Sequence, residues 1–288
     1  MNKEETTKIY YERINKVIAY ISSHLDEEMD LNQLAEISCF SPFHFHRIIR
    51  AHLNESLGSY IVRTRIETAA SLILYSNLQI NEIALRVGYE IPSSFNKAFQ
   101  KRFACPPTEF KERHTNFNQI NYLTMTTLSE NIKLKPSIKM VKTKKVIFVQ
   151  SIGSYSDEGT GKAWDKVCEF AQAKKLFGWK TEFIGISHDD PSITDSEKLR
   201  YEACIVISKD IKPEGEIGVK EIVGGKYAVF MHKGPYENFQ QTYDAIYKKW
   251  LPESGYELNE QPCFELYLNE PKKTKPENLK TEIYIPIV

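Results

Sequence analysis

Two internal repeats constrain the fold of this 288-residue chain more strongly than any other feature of its sequence. The first repeat relates LNQLAEISCFSPFHFHRIIRAHLNESLGSYIVR, which begins at Leu31, to INEIALRVGYEIPSSFNKAFQKRFACPPTEFKER, which begins at Ile80. The second repeat relates KKVIFVQSIGSY, from Lys144, to GKYAVFMHKGPY, from Gly225. Because a repeated stretch encodes the same supersecondary unit twice, the sequence predicts two domains, each built from two similar units.

The first repeat has the pattern of a helix-turn-helix. In both copies the apolar residues of a short first helix follow the i, i+3, i+4 spacing, and a polar or proline residue opens a second helix. The turns fall at Cys39-Phe40 and at Gly88-Tyr89. Further helices are predicted over residues 14–25, before the first copy, and over residues 57–76, between the copies. This pattern predicts an all-α N-terminal domain with two helix-turn-helix motifs.

The second helix of each copy carries apolar residues on one face and polar or basic residues on the other. The outward residues are Phe43, His46, Arg47 and Arg50 in the first copy, and Ser93, Asn96, Lys97 and Lys101 in the second. A helix with such a face fits the major groove of double-stranded DNA, where Arg, Asn and His read base edges. A solvated polar face is the alternative for either helix alone, and the duplication favours DNA binding.

Charge is balanced over the whole chain but not along it. The chain has 38 basic and 38 acidic residues, whereas residues 41–66 hold four arginines against Glu55 as the one acid. Basic patches of this kind attract phosphates even when the total charge is zero. Cys39, His44 and His46 do not suggest a metal site, because helix positions two apart point about 200° apart. We therefore expect DNA as a partner, and neither a metal nor a cofactor.

Residues 9–114 resemble the DNA-binding domain of the AraC/XylS family of bacterial transcription regulators. The stretches SPFHFHRIIRAHLNESLGSYIVRTRIETAASLI and IALRVGYEIPSSFNKAFQKRFACPPTEFK carry the resemblance. Members of this family insert two recognition helices into successive segments of the major groove. The resemblance therefore implies base contacts from Phe43, His46 and Arg47 in the first helix, and from Ser93, Ser94, Asn96 and Lys97 in the second.

Nothing in the sequence suggests export or membrane insertion. Apolar runs fall short of the roughly 18 residues needed to cross a bilayer, and MNKEETTKIYYERI lacks the apolar centre of a signal peptide. The five cysteines are far apart and form no CxxC pair, so we expect reduced thiols in the core. These features predict a cytoplasmic protein without a membrane partner.

Each copy of the second repeat predicts a strand, a Gly turn, a helix and two further strands. The helices are predicted at residues 159–175 and 237–250, and the last strands are LRYEACIVI and LKTEIYIPI. Two pseudo-symmetric βαββ units follow, which makes the chain an α+β two-domain protein. We place the DNA-binding domain at residues 1–115, a linker at 116–136 and the second domain at 137–288.

The stretch PCFELYL, residues 262–268, sets a carboxylate within a short apolar strand. Alternation puts Cys263, Glu265 and Tyr267 on one face, which fits either an exposed strand or the wall of a pocket. The junction of two sheet-and-helix units is a natural place for a concave pocket. The aromatic residues available to line it include Trp164, Tyr236, Phe239 and Tyr267, and core packing is the alternative for each.

A buried Glu265 would need a cation, hydrogen-bond donors or a raised pKa. A cation between aromatic rings meets the first need, with about 0.5 to 2 kcal/mol of attraction per favourable ring. Aligning Phe183 with Phe264 places Ile184 at the position of Glu265. We therefore expect the acid in only one of the two units.

Residues 137–288 resemble the GyrI-like effector-binding domain of bacterial regulators. The stretches that carry this resemblance are GGKYAVFMHKGPYENFQQTYDAIYKKWLPESGYEL, PCFELYLNEP and LKTEIYIPI. In multidrug-sensing relatives a buried Glu on the penultimate strand neutralises lipophilic cations between aromatic rings, and its position matches Glu265. The resemblance implies a small-molecule effector, with Trp164, Phe239 and Tyr267 as ring contacts.

These observations predict a transcription regulator, a monomer or homodimer, that binds DNA, a small effector and RNA polymerase and is not an enzyme. Two alternatives stay open for the C-terminal domain. It would act as a small-molecule hydrolase if Glu265 and Tyr267 served as base and orienting group, or as a protein-interaction module if its own side chains filled the pocket. Ser187, His188 and Asp189 are neighbours at a strand end and do not form a catalytic triad.

Overall fold

A computed structural model of the chain describes residues 3–114, 134–155, 158–259 and 261–288. The described residues form two compact units: a helical unit that contains residues 3–114, and a sheet unit that contains all the strands. The predicted linker lies outside the described residues, except for 134–136, which have no regular structure. Among the helices described, none combines the length and the apolar character needed to cross a lipid bilayer.

The helical unit confirms the two predicted helix-turn-helix motifs. Its described helices are α1 (Lys3–Ser23), α2 (Leu31–Ile37), α3 (Pro42–Leu53), α4 (Leu57–Tyr75), α5 (Ile80–Arg86), α6 (Pro92–Phe103) and α7 (107–114). Helices α2 and α3 form the first motif, α5 and α6 form the second, and α4 connects them. Both second helices begin with a proline, whose missing N–H is not needed in the first helical turn.

Left-handed backbone occurs at equivalent turns of the two motifs. Cys39 has φ 52° and Gly88 has φ 77°, and α3 and α6 end at Asn54 and Ala104, each with φ 56°. Only glycine fits at Gly88, because a Cβ there would lie 2.5 Å from the Leu25 carbonyl oxygen. The prediction that every cysteine is a core thiol is wrong for Cys39, which is exposed because the turn lies at the surface.

Apolar stripes from successive helices form the core of the helical unit. Fully or nearly buried residues include Ile14, Val17, Ile18, Ile21, Leu34, Phe45, Ile49, Tyr60, Ile66, Ala69, Ala70, Ile73, Phe95 and Phe99. These are the inward faces that helical periodicity predicts. The inward faces of α3 and α6 are thereby fixed, so their opposite faces point to solvent.

The sheet unit contains one antiparallel sheet. Its strands are β1 (Ser137–Val141), β2 (Lys144–Ile152), β3 (Phe183–Ser187), β4 (Arg200–Val206), β5 (Gly218–Ile222), β6 (Gly225–Lys233), β7 (Phe264–Tyr267) and β8 (Lys280–Pro286). Their spatial order is β1-β6-β8-β7-β3-β4-β2-β5. One predicted βαββ unit consists of β2, a helix, β3 and β4, and the other consists of β6, further helices, β7 and β8. The two βαββ units meet where β3 pairs with β7.

Strands β1 and β5 were not predicted. Each precedes one unit and pairs with the first strand of the other, β1 with β6 and β5 with β2. Both are short and lie at the edges of the sheet, and β1 has no buried residue, so the alternation that signals a strand is weak.

One helix covers the first unit and a broken helix covers the second. Helix α8 (Glu158–Ala173) packs on β2 and β4. In the second unit a 3₁₀ turn (Tyr236–Asn238) leads into α9 (Phe239–Ala245), a π-helical turn (Ile246–Trp250) and α10 (Leu251–Ser254). The predicted helix at 237–250 is thus interrupted, since Pro252 has no N–H to continue the α-helical hydrogen bonds. Both helical segments lie on the same face of the sheet, and β3 and β7 run between the strands that they cover.

Candidate functional site

Glu265 lies at the centre of the sheet and is 1 % exposed. It pairs in register with Gly185 on β3 and with Ile283 on β8. Tyr243 Oη donates a hydrogen bond to Glu265 Oε1 at 2.5 Å, and Ser187 Oγ donates to the same oxygen at 3.3 Å. The other oxygen, Oε2, is buried without a hydrogen-bond partner. One side of the carboxylate is therefore satisfied and the other is not.

Burial raises the pKa of Glu265 to about 7, although the hydrogen bonds from Tyr243 and Ser187 act in the opposite direction. Within the described residues, no Lys, Arg or His side chain pairs with this carboxyl group. A buried carboxylate without a counter-charge is costly, so the protonated and charged forms coexist near neutral pH. A cation placed beside Oε2 would favour the charged form.

Gly185 leaves room for three oxygens to converge beside Glu265. A Cβ at this position would lie 2.5 Å from Tyr201 Oη, 2.6 Å from Tyr267 Oη and 3.0 Å from Glu265 Oε2. This register corrects the prediction from the repeat. Ile184 is not the structural equivalent of Glu265, because side chains alternate along a strand and Ile184 faces the opposite side of the sheet, in the core cluster that contains Leu266. Gly185 occupies the equivalent position, so the acid is still present in only one unit.

A chain of hydrogen bonds holds the two phenols in place. Trp164 Nε1 donates to Tyr201 Oη at 3.1 Å, and the hydroxyls of Tyr201 and Tyr267 are 3.1 Å apart. Burial raises the pKa of both phenols, so they remain neutral. Their oxygens therefore act as neutral hydrogen-bonding groups next to Glu265.

The four predicted aromatic residues form a continuous series of rings over the site. Trp164 contacts Tyr267 edge-on at 5.6 Å between ring centroids, and Tyr236 contacts Tyr267 at 5.3 Å. Phe239 extends the series through Tyr236, at 5.4 Å. All four rings are half-buried, whereas Glu265 beneath them is almost fully buried. The structure thus brings the predicted ligand residues together within the sheet unit, at the junction of its two βαββ units.

Sequence reasoning missed the polar partners of Glu265. Tyr243 packs against the core, and its hydroxyl also reaches the carboxylate. Tyr201 and Ser187 come from the other unit, where no local pattern signals a contact with Glu265. The only available signal was chemical, since a buried tyrosine needs a hydrogen-bond partner for its hydroxyl.

Ser187, His188 and Asp189 turn to three different partners. Ser187 faces Glu265, while His188 Nε2 lies 3.0 Å from a carboxylate oxygen of Glu202. Asp189 is paired with Arg200, whose Nη2 is 2.6 Å from Asp189 Oδ1. The three side chains therefore do not form a triad, as alternation along the strand predicts.

The outward faces of α3 and α6 form the candidate DNA-binding surface. His46, Arg47 and Arg50 are exposed on α3, and Ser93, Ser94, Asn96, Lys97 and Lys101 are exposed on α6. The side chain of Phe43 lies outside the described part of the structure. Exposure is consistent with the predicted base contacts, which stay predictions.

The basic patch predicted for residues 41–66 is smaller than the sequence indicates. Arg63 is buried between acids, and the Arg65 guanidinium donates to the Gly88 carbonyl oxygen at 3.2 Å. Both arginines lie on the connecting helix α4, which packs against other elements, so their guanidinium groups contact residues within the helical unit. Arg47 and Arg50 are left as the outward cations of this stretch.

Buried ion pairs connect the two recognition helices through α4. Arg63 Nη2 is 2.7 Å from Glu55 Oε1, just after α3, and Arg63 Nη1 is 3.0 Å from Glu67 Oε2. The second oxygen of Glu67 accepts from Arg102 Nη2 on α6 at 3.1 Å. The side chain of Glu67 is 4 % exposed. The acidic and basic groups alternate, so the chain of contacts is electrically balanced.

Comparison with known proteins identifies two family matches within the chain. The family described as GyrI-like small molecule binding domain matches residues 134–288, and a helix-turn-helix domain family matches residues 34–113. The chain is 35 % identical over 119 residues to the uncharacterized HTH-type transcriptional regulator YbfP of Bacillus subtilis (strain 168), which covers 40 % of this chain and 40 % of that protein. The chain thus spans less than half the length of that relative.

Two further similarities concern a curated relative and a solved structure. The chain is 32 % identical over 110 residues to the probable transcriptional regulator YgiV of Escherichia coli (strain K12), covering 38 % of this chain and 68 % of YgiV. The crystal structure of the EcmrR C-terminal domain is 20 % identical, with a TM-score of 0.48, covering 55 % of this chain and 99 % of that one.

Proposed function

Because the chain belongs to the family of the GyrI-like small molecule binding domain and carries an AraC-type helix-turn-helix domain, we propose that it is a DNA-binding transcription regulator whose effector is a small organic cation. One observation carries the proposal: Glu265 is buried at the centre of the sheet with one carboxylate oxygen unpartnered. A cation at this oxygen supplies the missing counter-charge.

The surroundings of Glu265 favour a cation with an aromatic or other apolar body. Trp164, Tyr236 and Tyr267 offer ring faces and edges next to the carboxylate. Each favourable ring adds about 0.5 to 2 kcal/mol of cation–π attraction, more where water is excluded. The rings are half-buried, so part of each stays accessible to a ligand.

The DNA-binding part of the proposal rests on the paired recognition helices. Their exposed faces carry Arg47, Arg50, Lys97 and Lys101, which contact phosphates or bases when the helices enter the major groove. Regulation requires that the effector bind the DNA-competent and the incompetent states with different affinity. RNA polymerase as a further partner and the cytoplasm as the location stay predictions.

Isothermal titration of the full chain with organic cations and their neutral isosteres tests the effector. We expect wild-type protein to prefer the cations, and Glu265→Gln to lose that preference while remaining folded. Glu253→Gln, at an exposed position on α10, is a matched control. Equal affinities of the wild type and Glu265→Gln for the cations would exclude the charge argument.

Hydrolysis of a small molecule is the second candidate function. Its support is the carboxyl group of Glu265, whose pKa is raised to about 7 and which accepts a hydrogen bond from the Tyr243 phenol at 2.5 Å. A carboxyl group with a pKa near neutrality can act as a general base. The relatives are named as transcriptional regulators, which favours the first candidate. Turnover of a bound cation by wild-type protein, abolished in Glu265→Gln, would instead support the second.

A further inference from the structure

From the arrangement of oxygens around Gly185, and resting on the proposed function, we infer that Glu265 accepts a cation with N–H donors, such as a primary ammonium or an amidinium. A quaternary ammonium fits the charge but not the hydrogen bonding. Gly185 permits this arrangement, because a Cβ at this position would lie within 3.0 Å of all three oxygens.

Three oxygen atoms surround one point beside Gly185. Tyr201 Oη, Tyr267 Oη and Glu265 Oε2 all lie within 3.0 Å of the position that a Cβ would take. These distances limit the separation between Oε2 and either phenol oxygen to about 5.6 Å. A nitrogen about 2.8 Å from each of two oxygens spans that separation with charge-assisted hydrogen bonds. One ammonium nitrogen can therefore bridge the carboxylate and a phenol.

The site has more acceptors than donors. Oε2 has no donor at all, and the hydroxyls of Tyr201 and Tyr267 use one of their two protons on each other. Tyr201 also accepts from Trp164. At most one phenol proton therefore remains to be donated, whereas several lone pairs on the phenol and carboxylate oxygens remain unused. A group with two or three N–H donors complements this set, whereas a second acceptor does not.

A quaternary ammonium leaves this arrangement unsatisfied. Its nitrogen is wrapped in carbon and has no hydrogen to donate, so Oε2 stays buried without a partner even when the charge is neutralised. We expect at least a tenfold loss of affinity relative to the primary amine with the same aromatic body.

The test is isothermal titration of the full chain with a set of arylalkylamines. Each amine is paired with its N-trimethylated quaternary analogue and with the alcohol that replaces the amine by a neutral hydroxyl. The expected order of affinity is primary ammonium, quaternary ammonium, alcohol. Equal or tighter binding of the quaternary compounds overturns the inference while leaving the proposed cation site intact. If no cation outperforms its alcohol, the proposed function itself fails.

Gly185→Ala tests whether the arrangement of the three oxygens matters for binding. The added methyl group clashes with three oxygens, so we expect loss of binding of the primary amines by tenfold or more. Gly178→Ala is the matched control, because a Cβ at Gly178 meets nothing within 4 Å. Unchanged affinity in a folded Gly185→Ala protein overturns the role of Gly185.

Tyr201→Phe keeps the ring and removes one oxygen, and it serves if Gly185→Ala does not fold. The variant should weaken the primary amines several-fold and leave the quaternary compounds within twofold of wild type. A loss shared equally by both classes indicates a structural role for Tyr201 and overturns the bridging hydrogen bond.

Discussion

The phenol of Tyr243, on α9, donates a hydrogen bond of 2.5 Å to Oε1 of Glu265, on β7. This contact satisfies the half of the carboxylate that faces the helix. Oε2, at the junction of the two βαββ units, is buried without a hydrogen-bond partner. Because the carboxyl group titrates near neutral pH, its environment can be tested through stability and through binding.

The stability of the ligand-free protein should fall as the pH rises. The pKa of Glu265 is raised from its ordinary value of 4.5 to about 7, so the folded state keeps a proton that the unfolded state releases. The stabilising effect is complete below 4.5 and is lost as the pH passes 7, with a total of about 3 kcal/mol. Tyr243, Tyr201, Tyr267 and Cys263 face Glu265, but burial raises the pKa of each, so they stay neutral over this range.

Urea unfolding of the wild type and of Glu265→Gln at intervals between pH 4.5 and pH 8 measures this effect. Other groups titrate in both proteins, so the difference between the two curves isolates Glu265. All three tryptophans, Trp164, Trp179 and Trp250, lie in the sheet unit, and their fluorescence follows its unfolding. Parallel curves would show that Glu265 is ionised in the folded protein throughout.

Binding of an organic cation should strengthen as the pH rises towards 7. A cation favours the charged carboxylate, so binding below the pKa of about 7 releases a proton from Glu265. The affinity is expected to fall by up to tenfold per pH unit below that value. Titration calorimetry in two buffers of different ionisation enthalpy measures the released proton directly. Glu265→Gln should release none, and the same proton release in that variant would contradict the assignment.

Tyr243→Phe should weaken cation binding in a pH-dependent way. The hydrogen bond from Tyr243 lowers the pKa of Glu265, so its removal raises the pKa and reduces the charged fraction at pH 7. We expect a loss of several-fold at pH 7 that largely disappears at pH 9. Tyr256→Phe, which alters a ring that stacks on Trp250 away from Glu265, is the control. A loss of the same size at both pH values would point to a packing role instead.

Arg47→Ala should weaken DNA binding and relax its sequence preference. The guanidinium is exposed on the outward face of α3, where a base contact is worth about 1 to 3 kcal/mol of discrimination. Selection from a pool of random duplexes, followed by binding measurements on the enriched sequence, tests both effects. Lys16→Ala removes an exposed cation from α1 and should have little effect. If Arg47→Ala changes neither affinity nor preference, Arg47 is not a recognition residue.

Glu67→Gln should destabilise the helical unit and loosen the spacing of its recognition helices. It removes the buried negative charge that pairs with Arg63 and with the partly exposed Arg102, and losing one partner of a buried ion pair costs about 3 to 5 kcal/mol. Urea unfolding followed by circular dichroism at 222 nm reports the helices. In the random-duplex selection, the variant should enrich the same half-motifs with a less uniform separation. A stable variant that enriches one fixed separation would contradict a positioning role.

Local patterns in the sequence determined the elements and their order. Periodic apolar residues predicted α1 to α6, and alternation predicted the strands of the two βαββ units, because both signals depend on residues a few positions apart. The faces of α3 and α6 followed in the same way. The short edge strands β1 and β5 were not predicted, since β1 has no buried residue and β5 buries only Gly218 and Ile222.

Only the tertiary structure decided which side chains meet. Glu265 was identified from the sequence, but its burial, its donor Tyr243 and its partner across the sheet, Gly185, were not. Sequence alignment of the repeat chose Ile184, one residue away, and a shift of one residue in a strand reverses the face. The sequence likewise indicated Arg63 as part of a basic surface patch, whereas in the structure it is buried between Glu55 and Glu67. Contacts between residues far apart in the chain depend on register and packing, which no local pattern of residues encodes.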